Sequence, residues 1–370
     1  MKKLFTLFLL LTLILCGCSG QPAETTAPPT TEAPTEAPTT VPPTTVPPTT
    51  EAPTEAPTEP PVPTNPLTGE VLEAPLETRI FASTINNVHA AMPTYGVSDV
   101  DLFFEMFVNN HMTRGLAMFS DIRKAGDIGS VRSLRYNFTD LCETFDAIVV
   151  HAGGYTTVMN DLAKSPVENI SVEAYAADFY FRDKERYSRG YAWEHCLFIN
   201  GPKIYDFAES EGMRVTQDPD KDYGLRFTED GTPVNGEDAK SVTIQFIHTI
   251  GRKDTNMLYN EDTGLYQFRQ YGIDMWDVSQ GEAIRFKNVI VMLTTITDRH
   301  EGKATYHIAE LLGEGEGYFA CGGKIIPIKW SHESMDAPIL FTLEDGTPLE
   351  LGVGSSYIAI APVTSVVEYE

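Results

Sequence analysis

The chain has 370 residues, with 27 basic against 52 acidic side chains and a formal charge of −25. A surface so acidic repels nucleic acid and anionic lipid headgroups, which excludes DNA or RNA binding and polybasic membrane docking; it suits cationic partners, divalent cations or solubility alone. Beyond residue 64 roughly 300 residues remain, enough for about two ordinary domains with real cores.

The N-terminus opens with Lys2-Lys3, then the apolar run Leu4–Leu15, then Leu15-Cys16-Gly17-Cys18-Ser19. Positive flank, short apolar segment and small residue before the cut predict a secretory signal over residues 1–18, too short for a permanent span. Cys18 after Gly17, with Leu15 three residues upstream, resembles the lipobox of bacterial lipoproteins, although Cys16 stands where Ala, Ser or Thr is usual. That resemblance implies that Cys18 becomes the mature N-terminus, carries acyl chains of the palmitate class and places the protein on the extracytoplasmic face of the membrane. Each buried methylene contributes about 0.8 kcal/mol, so the membrane is the first expected partner. A plain cleaved signal is the alternative.

Residues 19–64 are Thr, Pro, Glu, Ala and Val in near-repeats such as Thr31-Glu32-Ala33-Pro34 and Thr54-Glu55-Ala56-Pro57. Such a segment buries too little apolar surface to offset its ordering entropy, and its prolines favour extended polyproline II. It reads as a disordered spacer between anchor and folded body.

Asn65-Pro66-Leu67-Thr68-Gly69 is a turn cluster where order is expected to begin. Arg79–Ile85, Asp101–Val108 and Leu116–Phe119 read as strands, the second carrying a continuous apolar run. Ser133–Phe145 has apolar residues at helical spacing; Ala147–Val150 reads as a buried strand; Thr156–Ala163 reads as a helix after the Gly153-Gly154 turn. Past about Thr228 the texture changes to short runs rich in branched and aromatic residues between Gly, Asn and Asp turns. These runs are Val242–Thr249, Leu265–Arg269, Ala283–Phe286, Val289–Ile296, Thr305–Leu311, Gly317–Ala320, Lys324–Trp330, Ile339–Leu343 and Ser356–Ala361. The expectation is an α+β fold: a mixed α/β domain at 65–228 followed by a β-rich, mainly antiparallel domain at 229–370.

An ordered set of short motifs carries a resemblance. Ile85-Asn86-Asn87, Glu105, Thr113-Arg114, Gly129-Ser130-Val131-Arg132-Ser133, Asp146 and Val150-His151-Ala152-Gly153-Gly154 come first. Phe181-Arg182-Asp183 with Arg186, and Glu194-His195-Cys196-Leu197, follow. Asn288-Val289-Ile290-Val291, Gly313–Gly317, Gly323-Lys324, Trp330, Pro338 and Gly346 complete it. Together they resemble the YerB-like family, lipoproteins of Gram-positive bacteria with a two-part extracellular region of unknown function, and the likeness spans nearly all of 65–362. In the family the segment before the His195 match usually contains Ala-Pro-His-Asn; here Cys196 takes the place of the asparagine. A histidine often found near Met275-Trp276-Asp277 is missing. The resemblance implies no established catalytic activity.

Within so acidic a chain, a basic constellation stands out: Arg114, Arg132, Arg135, Arg182 and Arg186 accompany Ser130, His151, the Gly153-Gly154 turn and Asp183. Guanidinium groups match phosphate and carboxylate bidentately, and glycines let backbone N–H groups approach an anion. The competing expectation is that each arginine pairs with Glu105, Asp121, Asp146 or Asp183 and serves the fold. His151 and His195 are the candidates for a general base, with Ser130 or Cys196 as nucleophile only if a histidine lies beside it. No Gly-x-Ser-x-Gly, Ser-x-x-Lys or His-Glu-x-x-His motif occurs, and no pair among His89, His111, His151 and His195 has metal-ligand spacing. Asp218, Asp220, Asp222 and Glu229 imitate calcium-loop positions, but Tyr223 occupies the glycine position, so a solvated acidic hinge is favoured over a metal. Gly315-Glu316-Gly317 is followed by a strand rather than a helix, which rejects a dinucleotide site. No cofactor is expected.

The expected function is binding of an envelope component, such as a cell-wall polymer or another envelope protein, or assistance in wall assembly, through the arginines. A hydrolase or transferase acting on wall polymers with a histidine base is the alternative, and a purely structural envelope partner the third. Cys142, Cys196 and Cys321 read as three buried thiols, with one disulfide left open.

Overall fold

The run Leu102–Val108 sets the architecture. Every residue in it is buried, which requires cover on both faces of the strand. The computed structural model describes residues 62–109, 112–249 and 251–370; the signal segment with Cys18, the spacer up to residue 61, and His111 lie outside the described residues.

In chain order the principal elements are β1 (Phe81–Asn86), β2 (Leu102–Asn109), β3 (Met112–Phe119), β4 (Asp127–Gly129), α1 (Tyr136–Thr144), β5 (Ile148–His151), α2 (Thr156–Leu162), β6 (Asn169–Ser171), β7 (Tyr180–Arg182), α3 (Lys184–Ser188), β8 (Leu197–Asn200) and α4 (Gly201–Ser210). They continue with β9 (Ser241–His248), β10 (Gly251–Asn260), β11 (Leu265–Gln270), β12 (Asn288–Thr294), β13 (Ile296–Glu301), β14 (Ala304–Ala309), β15 (Gly313–Cys321), β16 (Lys324–His332), β17 (Ser356–Pro362) and β18 (Val366–Tyr369). The protein is rich in strands, mostly antiparallel, with few helices, and none of the described helices is long and apolar enough to cross a membrane.

The central sheet runs β16-β15-β12-β17-β2-β3-β1-β5-β6. Strands from both sides of residue 228 therefore share it. β17, near the end of the chain, lies parallel to both β12 and β2 and joins the two parts. A second sheet of β11-β10-β9-β18 packs on one face; α1 and α2 cover the other. In β2 the period-2 rule divides the work: Phe103 and Phe107 face the second sheet with Phe246 and Phe268, whereas Phe104 and Met106 face Phe138 and Leu141 of α1. Gly115 of β3 is required by this packing, since a Cβ there would lie 2.3 Å from the Phe103 ring.

β10 escapes sequence reading because its inward residues include Lys253 and Thr255, so no apolar alternation marks it. Cys142, Cys196 and Cys321 are buried and form no disulfide among the described residues. On α1, Asp140 is largely buried, and burial pushes its carboxyl up to about 6 although Asn137 Nδ2 donates to it at 3.1 Å. Between about pH 4 and pH 6 the fold keeps a proton that the unfolded chain has released, so stability falls as pH rises through that window. Asp140→Asn is accordingly expected to raise the melting temperature near pH 7 and to leave it unchanged near pH 3.5, as read by thermal scans at the two pH values.

Candidate functional site

Three of the predicted arginines meet where β1, β3, β5 and α1 end or begin. Arg114 sits opposite Asn86 in the β1–β3 register. Segment 130–134 is laced to β1 by Asn86 N to Ser130 O (2.9 Å) and Arg132 N to Thr84 O (3.0 Å). It is laced to the turn after β5 by Ala152 N to Arg132 O (3.0 Å) and Leu134 N to Gly153 O (2.9 Å). Arg135 precedes α1 as its N-cap residue and rests on the Tyr306 ring, 5.7 Å from its centroid. Tyr306 comes from β14 and touches Tyr155 (5.2 Å), so the far part of the chain walls the site.

Arg114 and Arg135 share one acceptor: both Nη1 atoms donate to the Ser133 carbonyl, at 2.8 and 3.3 Å. Arg135 also donates to the Leu134 carbonyl (2.8 Å), and Arg132 to the Glu194 carbonyl (3.4 Å). Among the described residues none of the three forms an ion pair, and the Nε of each is buried without a partner; so is Asn86 Nδ2 beside Arg114. Burial, then Arg135 and Arg132, push the Arg114 guanidinium well below its usual range. Arg135 is pushed down to about 10 by burial, with Arg132 adding to the effect. Burial lowers Arg132, and the neighbouring Arg182 lowers it further against the pull of Glu194. Neighbouring guanidiniums with surplus donors favour an anion, which would satisfy the donors and offset the mutual repulsion. Gly153, at φ +62°, lines the turn facing open space, since a Cβ there would meet nothing within 4 Å.

The other predicted residues play different parts. Arg182 pairs with Glu173 (2.6 Å), donates to the Trp193 carbonyl (2.6 Å) and stacks on the Trp193 ring at 4.7 Å. Arg186 is fully buried and bonded to the Ala91 and Pro93 carbonyls, and Asp183 caps α3 by accepting from Arg186 N at 2.8 Å. Both belong to the scaffold. Ser130 is buried with its hydroxyl unpartnered. A Cβ on Gly154 would meet Met159 Sδ at 2.8 Å, so that glycine serves packing of the turn on α2.

The histidine candidates also separate. His151 is buried, and its ring nitrogens face the Gly153 carbonyl (2.8 Å) and Asn169 Oδ1 (3.3 Å); burial lowers its pKa, against the pull of these two contacts. His195, held by the Ala90 carbonyl at 3.1 Å, instead lines a cavity of about 620 Å³ with His89, Tyr191 and Trp276. Cys196 is buried and donates to the Ala192 carbonyl (3.4 Å), and burial raises its thiol pKa. Among the described residues, neither Ser130 Oγ nor Cys196 Sγ is hydrogen-bonded to a histidine.

The acidic stretch is held by local bonds. Arg226 forks onto Asp222 (3.0 and 2.8 Å), which also accepts from Gly224 N (2.8 Å); these bonds hold its carboxyl down at about 2. Asp218 accepts from Asp220 N (3.0 Å) in a local turn, and Asp218, Asp220, Asp222 and Glu229 do not gather as a ligand group. Sequence reading missed Asn86 and Tyr306 as site members. Asn86 lay within a quoted motif, but nothing local to Tyr306 signals a contact with Arg135, a partner on the other side of the chain.

Comparison with known proteins agrees with this layout. The YerB protein of Bacillus subtilis (strain 168), whose name describes a lipoprotein, is 26% identical over 329 residues, covering 80% of this chain and 88% of that protein. The crystal structure of the YerB protein from Bacillus subtilis superposes with a TM-score of 0.71 at 21% identity, covering 82% of this chain and 99% of that one; this likeness speaks to the fold. Residues 67–214 match the model of the N-terminal domain of the protein of unknown function DUF3048, and residues 242–358 match that of its C-terminal domain. With both parts matched in order on either side of the shared sheet, the chain belongs to the DUF3048 family.

Proposed function

We propose that the protein is a lipid-anchored envelope protein, held on the extracytoplasmic face through Cys18, that binds an anionic envelope component at Arg114, Arg132 and Arg135 without catalysing a reaction on it. The lipobox-like N-terminus and the lipoprotein name of the Bacillus relative support the address. One observation carries the ligand class: among the described residues, three adjacent guanidinium groups form no ion pair and keep buried donors unpartnered within a strongly acidic protein. The occupant is a phosphate or carboxylate group of a cell-wall polymer, with Asn86 as an additional donor and the Gly153 turn as the open side. Arg182, already paired with Glu173, flanks the site rather than forming it.

Isothermal titration of the purified protein with glycerol phosphate and with glucuronate tests this. Each charge-assisted bond contributes about 1.5–3 kcal/mol, so Arg132→Ala and Arg135→Ala are each expected to weaken binding by about 10- to 100-fold, with wild-type affinity falling as salt rises. Equal affinity of wild type and both variants, with melting temperatures unchanged, rejects the site.

A further inference from the structure

A different cluster, on the side of the molecule built by β9, β13 and β14, has no part in the arginine site. Asp298 and His307 are directly opposed across the β13–β14 hairpin, which puts their side chains on one face at neighbouring positions. His248 closes β9 and reaches the same point. His248 Nε2 lies 2.7 Å and His307 Nδ1 2.8 Å from a single atom, Asp298 Oδ1, and the two imidazole rings meet edge to face with centroids 4.7 Å apart. Phe107 packs against both rings, at 6.4 and 5.7 Å, and gives the cluster an apolar floor. The His307 side chain is fully buried, whereas 12% of the His248 side chain and 27% of the Asp298 side chain remain exposed, so solvent reaches the cluster from the Asp298 side.

We propose that His248, Asp298 and His307 form a binding site for a divalent transition metal ion of the zinc class. The three potential ligand atoms lie within 4.8 Å of one another. Tetrahedral zinc holds nitrogen and oxygen ligands at about 2.0–2.2 Å, which sets ligand-to-ligand separations of roughly 3.3 Å, so the two imidazole–carboxylate edges need to open by only roughly half an ångström. Two imidazoles and one carboxylate select Zn²⁺, Co²⁺ or Ni²⁺ over Ca²⁺ and Mg²⁺, which prefer all-oxygen shells. Loading replaces the imidazole–carboxylate hydrogen bonds: each ring turns a lone pair to the ion and releases any proton held at that nitrogen to solvent. Three protein ligands leave a fourth position for water on the exposed side. Because the three residues sit on two separate hairpins, a bound ion would cross-link β9 to β13–β14.

The test uses untagged full-length protein stripped with a chelator and titrated with Co²⁺, followed by visible absorption, and with Zn²⁺, followed by calorimetry and thermal unfolding. The expected result is one saturable ion per chain, tetrahedral Co²⁺ bands and a higher melting temperature on Zn²⁺ loading. His248→Ala and Asp298→Asn, at positions open enough to keep the fold, are expected to lose the saturable binding and the thermal shift. Circular dichroism of both variants without metal establishes that each is folded. Two results overturn the assignment: wild type without saturable binding, which leaves the cluster a hydrogen-bonded hairpin clasp, and undiminished binding in folded His248→Ala protein, which places the ion elsewhere.

Discussion

Glu105→Ala is expected to produce the largest loss of stability of any single substitution considered, about 3–5 kcal/mol, seen as a fall in melting temperature of about 10 °C or more. Glu105 lies on β2 between the two sheets, wholly buried, and pairs with the equally buried Lys253 of β10. Its oxygens also accept from Tyr357 Oη (2.6 Å), Thr113 Oγ1 (2.6 Å), Asn87 Nδ2 (2.9 Å), Thr255 Oγ1 (2.9 Å) and Gln270 Nε2 (3.0 Å). Removing the carboxylate leaves an ammonium with no counter-charge and several donors with no acceptor, in a space without water access. Burial already pushes the Lys253 pKa down, opposed by Glu105. The double variant Glu105→Gln with Lys253→Met is expected to recover much of the loss, because it removes both charges while keeping an amide for the surrounding donors. If thermal unfolding finds Glu105→Ala as stable as wild type, the account of this network as the tie between the sheets is wrong.

Arg186→Ala is expected to cost about 3 kcal/mol in stability and to leave anion binding at Arg132 and Arg135 unchanged. Its guanidinium donates to the Ala91 and Pro93 carbonyls and lies over the Tyr191, Phe198 and Tyr95 rings at 4.3, 5.5 and 6.0 Å. Truncation strands two carbonyls and removes a stacked plane; each unsatisfied buried group costs roughly 1–3 kcal/mol. Arg186→Lys is expected to rescue only part of the loss, since an ammonium reproduces neither the fork nor the stacking. Chemical denaturation, paired with the glycerol phosphate titration, separates this structural arginine from those of the site. A loss of ligand affinity in Arg186→Ala at intact stability would reverse that division.

Among the five arginines grouped by sequence, burial sorted the roles. Arg182 and Arg186 are engaged within the fold, but not by the carboxylates expected of them: Arg182 pairs with Glu173, and Arg186 bonds carbonyls and lies over rings. Arg114, Arg132 and Arg135 form no ion pair among the described residues; Glu105, the carboxylate nearest to Arg114 in the motif order, is taken by Lys253. Side-chain alternation explains the choice: in β2 Glu105 points toward the second sheet, whereas Arg114 of β3 pairs with Met106 and faces the helices.

Local pattern was enough for much of the fold. The apolar run of β2, the helical spacing before Phe145, the Gly153-Gly154 turn and the short strands past residue 240 were all legible, because hydrophobic periodicity and turn chemistry act between near neighbours. The polar inward face of β10 hid that strand, and a helix as short as α3 leaves too little periodicity to read.

The sequence by itself determined the acidic character, the anchor-like N-terminus, the Thr/Pro/Glu-rich composition that follows it, the β-rich later part and the family, whereas the helices expected in the earlier part prove few beside its strands. Only the tertiary structure decided that β17 returns from the end of the chain to join both parts in one sheet, that three arginines meet with no ion pair among the described residues, and that His248, Asp298 and His307 share one point. The physical reason is separation along the chain: charges and ligands far apart in sequence become neighbours only through strand register and sheet packing, and no local preference encodes which of several carboxylates an arginine or a lysine will reach.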